Sequence, residues 1–248
     1  MIGMVSLPPL PGYSGSPGLD AILAAALADL DALRHGGADA ALVENDFDRP
    51  HALTVGPEVT AAMTRAAAEL AARGTLPIGA QVLLNDWRAS LAVAAASGAR
   101  FVRLDFFVDR ARIAAGTIEP EPAAVLAYRT AIGAEHVALL ADIQVKYSTS
   151  LEPGKTLAYS AVQAADAGAD AAIVTGDATG DAPTVADLIE ARAGGIPVLV
   201  GSGLTPANAA GLLAHADGAI VGTALRSGPG PLDRVDVERV RRLVRAAQ

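Results

Sequence analysis

Residues 195–228, GIPVLVGSGLTPANAAGLLAHADGAIVGTALRSG, decide the fold, because they read as two successive units of strand, glycine turn and helix. Ile196 to Val200 is a short apolar strand, and Gly201-Ser202-Gly203 lets the backbone turn sharply and approach a ligand. Thr205 is placed to cap the next helix, with Pro206 at its first position. A second buried strand, Gly218 to Val221, runs into Gly222-Thr223. If the two strands are parallel neighbours, the N–H groups of both turns converge on one anion. This is where (β/α)8 barrels build a phosphate site, from the loops after strands 7 and 8. Gly201, Ser202, Gly203, Gly222 and Thr223 are therefore the candidate phosphate-binding residues, against the plainer reading that the glycines only make tight turns.

Working outward, the same alternation recurs. Strands are expected at 2–7, 39–44, 77–84, 100–105, 137–143 and 170–175, followed by helices at 19–35, 57–73, 86–97, 121–132, 155–167 and 184–193, with a last helix at 233–246. Eight such units in 248 residues, with mostly nonalternating apolar strands, predict an α/β fold: a single (β/α)8 TIM barrel of parallel strands spanning 1–248. A dinucleotide-binding sheet would need a glycine-rich turn after its first strand, where this chain has Pro8-Pro9-Leu10-Pro11. The loops 106–120 and 144–154 are long enough to be lids.

Net charge −8 with no lysine or arginine block argues against a nucleic acid partner, and no run of about 18 apolar residues predicts membrane insertion. Absence of cysteine removes disulfides and thiolate chemistry. The expectation is a soluble, acidic, cytoplasmic protein whose partner is a phosphorylated small molecule, held by backbone amides, with a homo-oligomer left open.

Functional residues of a barrel lie at the C-terminal ends of its strands and in the loops that follow, here called the mouth. Six of nine aromatic residues (Tyr13, Phe47, Trp87, Phe106, Phe107 and Tyr147) map there, as a ligand wall or as plugs of the barrel end. The four histidines map elsewhere, except His51, which disfavours a histidine metal site or a Ser-His-Asp triad. Glu44, Asp86, Asp105 and Asp142 end strands or begin loops, with Asn45 and Asn85 beside two of them. Such acids can raise one another's pKa for acid-base work, or hold a divalent cation such as Mg²⁺; the metal itself stays unknown. Asp86 also suits a helix cap.

On the fifth strand, alternation places Asp142, Gln144 and Lys146 on one face toward the mouth. Lys146 could then stabilise an oxyanion, pair with a substrate phosphate or, if desolvated, form a Schiff base; the structural alternative is an internal ion pair with Asp142. After the sixth strand, Thr175, Gly176, Thr179 and Gly180 offer hydroxyls and amides to a ligand, with a plain turn as the alternative. The catalytic candidates are Asp142, Lys146, Glu44 and Asp105; the substrate-binding candidates are Asn45, Asn85, Asp86, Gln144, Thr175, Gly176, Thr179 and Gly180.

The pieces Met1-Ile2-Gly3-Met4, Leu7-Pro8-Pro9-Leu10-Pro11-Gly12, Val43-Glu44-Asn45, Leu84-Asn85-Asp86, Ala141-Asp142 with Val145-Lys146, Val174-Thr175-Gly176 with Thr179-Gly180, Gly201-Ser202-Gly203 and Val221-Gly222-Thr223 run along nearly the whole chain. Together they resemble the BtpA/SgcQ family of TIM-barrel proteins. The resemblance implies kinship with a cyanobacterial member implicated in photosystem I biogenesis, and with members found among sugar-utilisation genes. The family pattern has histidine where this chain has Ser6 and Gln144, which implies a changed substrate, a changed reaction or a lost activity. The leading expectation is an enzyme on a sugar phosphate or nucleotide-like substrate, by isomerase, lyase or glycosyl-type chemistry. The alternative is a noncatalytic assembly or ligand-binding factor of the BtpA kind.

Overall fold

The computed structural model describes residues 1–178 and 180–247. Eight parallel strands close on themselves: β1 (Ile2–Ser6), β2 (Ala40–Glu44), β3 (Ile78–Gln81), β4 (Phe101–Leu104), β5 (Ala138–Ile143), β6 (Ala171–Val174), β7 (Val198–Val200) and β8 (Gly218–Val221). Pairing of β1 with both β2 and β8 seals the barrel and leaves no open edge. The expected strands are all present, most of them trimmed by one to four residues at their ends. The outer ring is α1 (Leu19–Gly36), α2 (Pro57–Ala72), α3 (Trp87–Ser97), α4 (Pro122–Ala131), α5 (Leu157–Asp166), α6 (Val185–Ala191), α7 (Ala209–Leu213) and α8 (Val237–Ala246).

Residue parity divides the buried side chains into two clusters. Val5, Val43, Ala80, Val102, Ala141, Val174, Val200 and Val221 face outward and pack under the helices. Met4, Leu42, Phe101, Leu140, Ile173, Leu199 and Ile220 face inward and fill the barrel axis. Both faces are apolar, which is why the strands read as unbroken hydrophobic runs rather than alternating ones. Phe101 is the largest of the inward residues, and Gly79 on β3 makes room for it: a Cβ there would lie 2.1 Å from the ring. The apolar filling ends one layer below the mouth, so the next inward position on each strand is free for chemistry.

Two local expectations are corrected. Thr205 does not cap a helix starting at Pro206; α7 begins at Ala209, and the Asn208 carboxamide accepts hydrogen bonds from the Thr205 N–H and hydroxyl. The loops after β4 and β5 are not free-standing either, since short strands at 111–113, 116–118 and 149–150 join them in one antiparallel sheet beside the mouth. Phe106, Ala111, Ile118 and Val145 form a small core beneath it. Among the described residues, no helix is long and apolar enough to cross a membrane.

Candidate active site

Above the apolar filling, parity brings the next inward residues into one polar layer: Ser6, Glu44, Gln81, Arg103 with Asp105, Asp142, Thr175, Gly201 and Gly222. The layer is lopsided. Polar side chains occupy β1 to β5, whereas β7 and β8 continue into Gly201 and Gly222, which carry none; a Cβ would meet Ile173 at 2.3 Å at the first and Met4 at 3.2 Å at the second.

Ser6, Glu44 and Gln81 are register neighbours on three adjacent strands. The Ser6 hydroxyl donates to Glu44 Oε1 at 2.6 Å. Gln81 Nε2 donates to Asp105 Oδ1 at 2.7 Å, which leaves Gln81 Oε1 buried with no donor among the described residues. Arg103 grips Asp142 with two bonds, Nε to Oδ2 at 2.7 Å and Nη2 to Oδ1 at 2.8 Å, and its Nε lies 4.0 Å from Asp105. Arg103 was missed in the sequence, although a charged residue on the inward parity of FVRLD, between Phe101 and Asp105, was a readable signal.

Burial pushes the Glu44 carboxyl up to about 7, helped by the Asp46 charge and opposed by the Ser6 hydroxyl and Arg103. Asp105 rises to about 6, again through burial and then the Asp142 charge, with Arg103, Lys146 and Gln81 pulling the other way. The Asp105 charge also raises Glu44. Glu44 keeps part of its surface open at the mouth, while Asp105 is buried.

The fifth strand departs from the expected alternation. β5 ends at Ile143, and Gln144 takes a positive φ of 47°, so its side chain leaves the mouth. Its carboxamide donates instead to Lys155 O and Ser160 Oγ. Asp142 pairs with Arg103 rather than Lys146. Lys146 is half-buried, and its charge favours ionised Asp105. Behind it, the Lys155 ammonium lies 2.8 Å from Asp109 and 3.0 Å from Glu152, tying the loop after β4 to the loop after β5.

The asparagines and Asp86 hold the loops. Asp48 accepts from Leu10 N and from Asn45 Nδ2, and Asn45 Oδ1 accepts from Leu83 N at 2.8 Å. Asn85 bonds both backbone atoms of Phe106. Asp86 caps α3 through Ala89 N and also accepts from Val55 N. The loops after β1, β2, β3 and β4 are thereby stapled one to the next. Asn85, Gln144 and Tyr147 are the non-glycine residues with positive φ among those described, and all three sit in mouth loops.

At the glycine turns, Ser202 Oγ accepts from Gly176 N and donates to Asp181 O, which joins the loops after β6 and β7. Gly203 has φ of 68°, and a Cβ there would meet Ala182 N at 2.2 Å, so no other residue fits. A one-turn helix, Thr223–Leu225, follows Gly222. Thr175 Oγ1 accepts from Lys146 N. Gly180 also has a positive φ, and Thr179 lies outside the described residues.

The aromatic wall is smaller than expected. Phe107 belongs to the core under the helices, Phe106 lies under the small sheet, and Trp87 meets Tyr128 edge-on at 5.9 Å. Phe47, Tyr13 and Tyr147 remain: the Arg226 guanidinium lies 5.2 Å from the Phe47 ring centre, Tyr13 packs partly buried against the core, and Tyr147 is exposed. His51 bonds Asp46 O. Among the described residues, no three His, Asp or Glu side chains gather in a way that could hold a metal ion.

A model of the BtpA family matches residues 1–248. An uncharacterized protein of Archaeoglobus fulgidus is 38% identical over 249 residues, covering 100% of this chain and 98% of its own. The photosystem I biogenesis protein BtpA of Synechocystis is 35% identical over 252 residues, covering 99% of this chain and 87% of its own. Among solved structures, phosphoribosyl anthranilate isomerase from Thermus thermophilus superimposes with a TM-score of 0.58 at 16% identity, over 99% of this chain and 96% of that one. Tryptophan synthase from M. tuberculosis gives 0.61 at 19% identity, over 99% and 91%. These last two are likenesses of fold.

Proposed function

The chain belongs to the BtpA family, and on that premise we propose that it is an enzyme acting on a phosphorylated small molecule, a sugar phosphate or nucleotide-like compound, by proton transfer at Glu44. The observation that carries this reading is a carboxyl pushed up to about 7 that still reaches the mouth. Near neutral pH such a group exists in both forms, so it can take a proton from substrate and return it.

The Asp105 charge opposes ionisation of Glu44 and so helps it hold its proton. Asp142 has a different role from the one expected of it in the sequence: both its oxygens are engaged by Arg103, so it orients that guanidinium and does not react. Arg103 keeps a positive charge beside the acids, and Lys146 adds a second, which suits an oxyanion or enolate forming on the substrate. The phosphate would lie over the glycine turns, where Gly201 and Gly222 bring backbone rather than side chains to the layer. Support for that placement comes from the barrel neighbours, one of which is named for a phosphoribosyl substrate.

The test is a thermal-shift screen of phosphorylated metabolites with and without Mg²⁺, followed by turnover of the hits. A true substrate should stabilise the parent, and Glu44→Gln should lower turnover by about 10²–10⁴-fold while keeping the ligand-induced shift. Thr223→Asp, an exposed change that adds like charge at the β8 turn, should abolish the shift. The Synechocystis relative favours a second reading, a noncatalytic assembly factor. Ligands that bind but are never turned over would favour it.

A further inference from the structure

Arg226 follows the one-turn helix after Gly222, and only 6% of its surface is exposed. Its Nη2 donates to Gly230 O at 2.6 Å, and its face stands over Phe47, three residues beyond Glu44. The side chain therefore spans from the β8 turn to the β2 loop, across the strand β1 that separates them. Its Nη1 is buried and has no partner among the described residues.

A buried guanidinium with an unmade hydrogen bond is costly, and the chain's own acids do not supply the missing acceptor. Asp29 is taken by Arg234 and Val235 N, Asp233 accepts from Gly230 N, and Glu44 accepts from Ser6. The vacant donor belongs to a guanidinium that stands over Phe47 and whose charge interacts with that of Glu44.

We infer that Arg226 binds an oxyanion of the mouth's ligand, a phosphate or a carboxylate, through its unpaired Nη1. The inference deepens the proposed function and rests on it for the location of the ligand. It also revises the expectation that backbone amides alone would hold the anion. A planar guanidinium presents N–H donors in a fixed fork that matches an oxyanion, which lysine cannot reproduce.

The probes are inorganic phosphate and acetate, with chloride as the ionic-strength control, titrated into protein carrying ¹⁵N-arginine. The Arg226 Nε–Hε signal is assigned by its loss in Arg226→Lys. Phosphate or acetate should move that signal saturably where chloride does not, and the stronger of the two names the ligand's group. Affinity should fall about tenfold or more in Arg226→Lys. If neither anion moves any arginine Nε–Hε signal of the parent beyond the chloride effect, the inference is overturned, and that outcome needs no assignment from the variant. Arg226 responding to anions while no phosphorylated metabolite is turned over sinks the enzyme reading and keeps this one. A turned-over substrate bound equally well by folded Arg226→Lys does the reverse.

Discussion

Arg103 carries the electrostatics of the polar layer. It neutralises Asp142 through two short bonds and lies close to Asp105, and all three are buried. Removing one partner of such a cluster leaves uncompensated charge, which costs about 3–5 kcal/mol. Arg103→Met should therefore lower stability by about that amount in urea unfolding, whereas Lys146→Met should change it by less than about 1 kcal/mol, because Lys146 is not Asp142's partner. The opposite ranking would return the ion pair to Lys146. In the sequence, Asp142 and Lys146 read as partners because i, i+2 and i+4 share a face of a strand; that rule lapses where Gln144 turns to positive φ.

At the scale of elements, the mouth is a set of loops cross-linked by side chains rather than by regular structure. Asn45 is the central link, joining Asp48 on its own loop to Leu83 on the next. Asn45→Ala leaves Leu83 N and one Asp48 oxygen without partners, a loss of about 1–3 kcal/mol. Hydrogen exchange should accelerate in residues 45–55 and 82–86 and not in the strands; uniform acceleration throughout the barrel would show that the link is not local. The barrel strands were legible because both their faces are apolar, so the runs are unbroken. The strands at 111–113, 116–118 and 149–150 were not, being two or three residues long and dependent on pairing between distant loops. Helix starts were legible only approximately, as Thr205 illustrates: its own side chain pattern suits a cap, yet Asn208 supplies the acceptor.

For the molecule as a whole, closing the barrel places inward residues from distant positions in one layer, and burial there changes their acidity. The acids Glu44, Asp105 and Asp142 could be picked out by their position at strand ends. Gln81, Arg103 and Arg226 could not be weighed from residue type alone, since their meaning comes from what they face: a lone acceptor, two carboxylates and an unfilled donor. The same burial links folding to pH. Glu44 ordinarily ionises near 4.5, and in the folded chain near 7, so the native state binds the extra proton between those values. Its contribution to stability is full below pH 4.5 and is lost as pH rises through 7.

The most direct test of a working acid-base site is therefore a ¹³C NMR titration of the Glu44 side-chain carboxyl in the folded protein, assigned by its absence in Glu44→Gln. The account predicts a midpoint near 7, with a second inflection from its coupling to Asp105. A single midpoint near the ordinary glutamate value of 4.5 would contradict it.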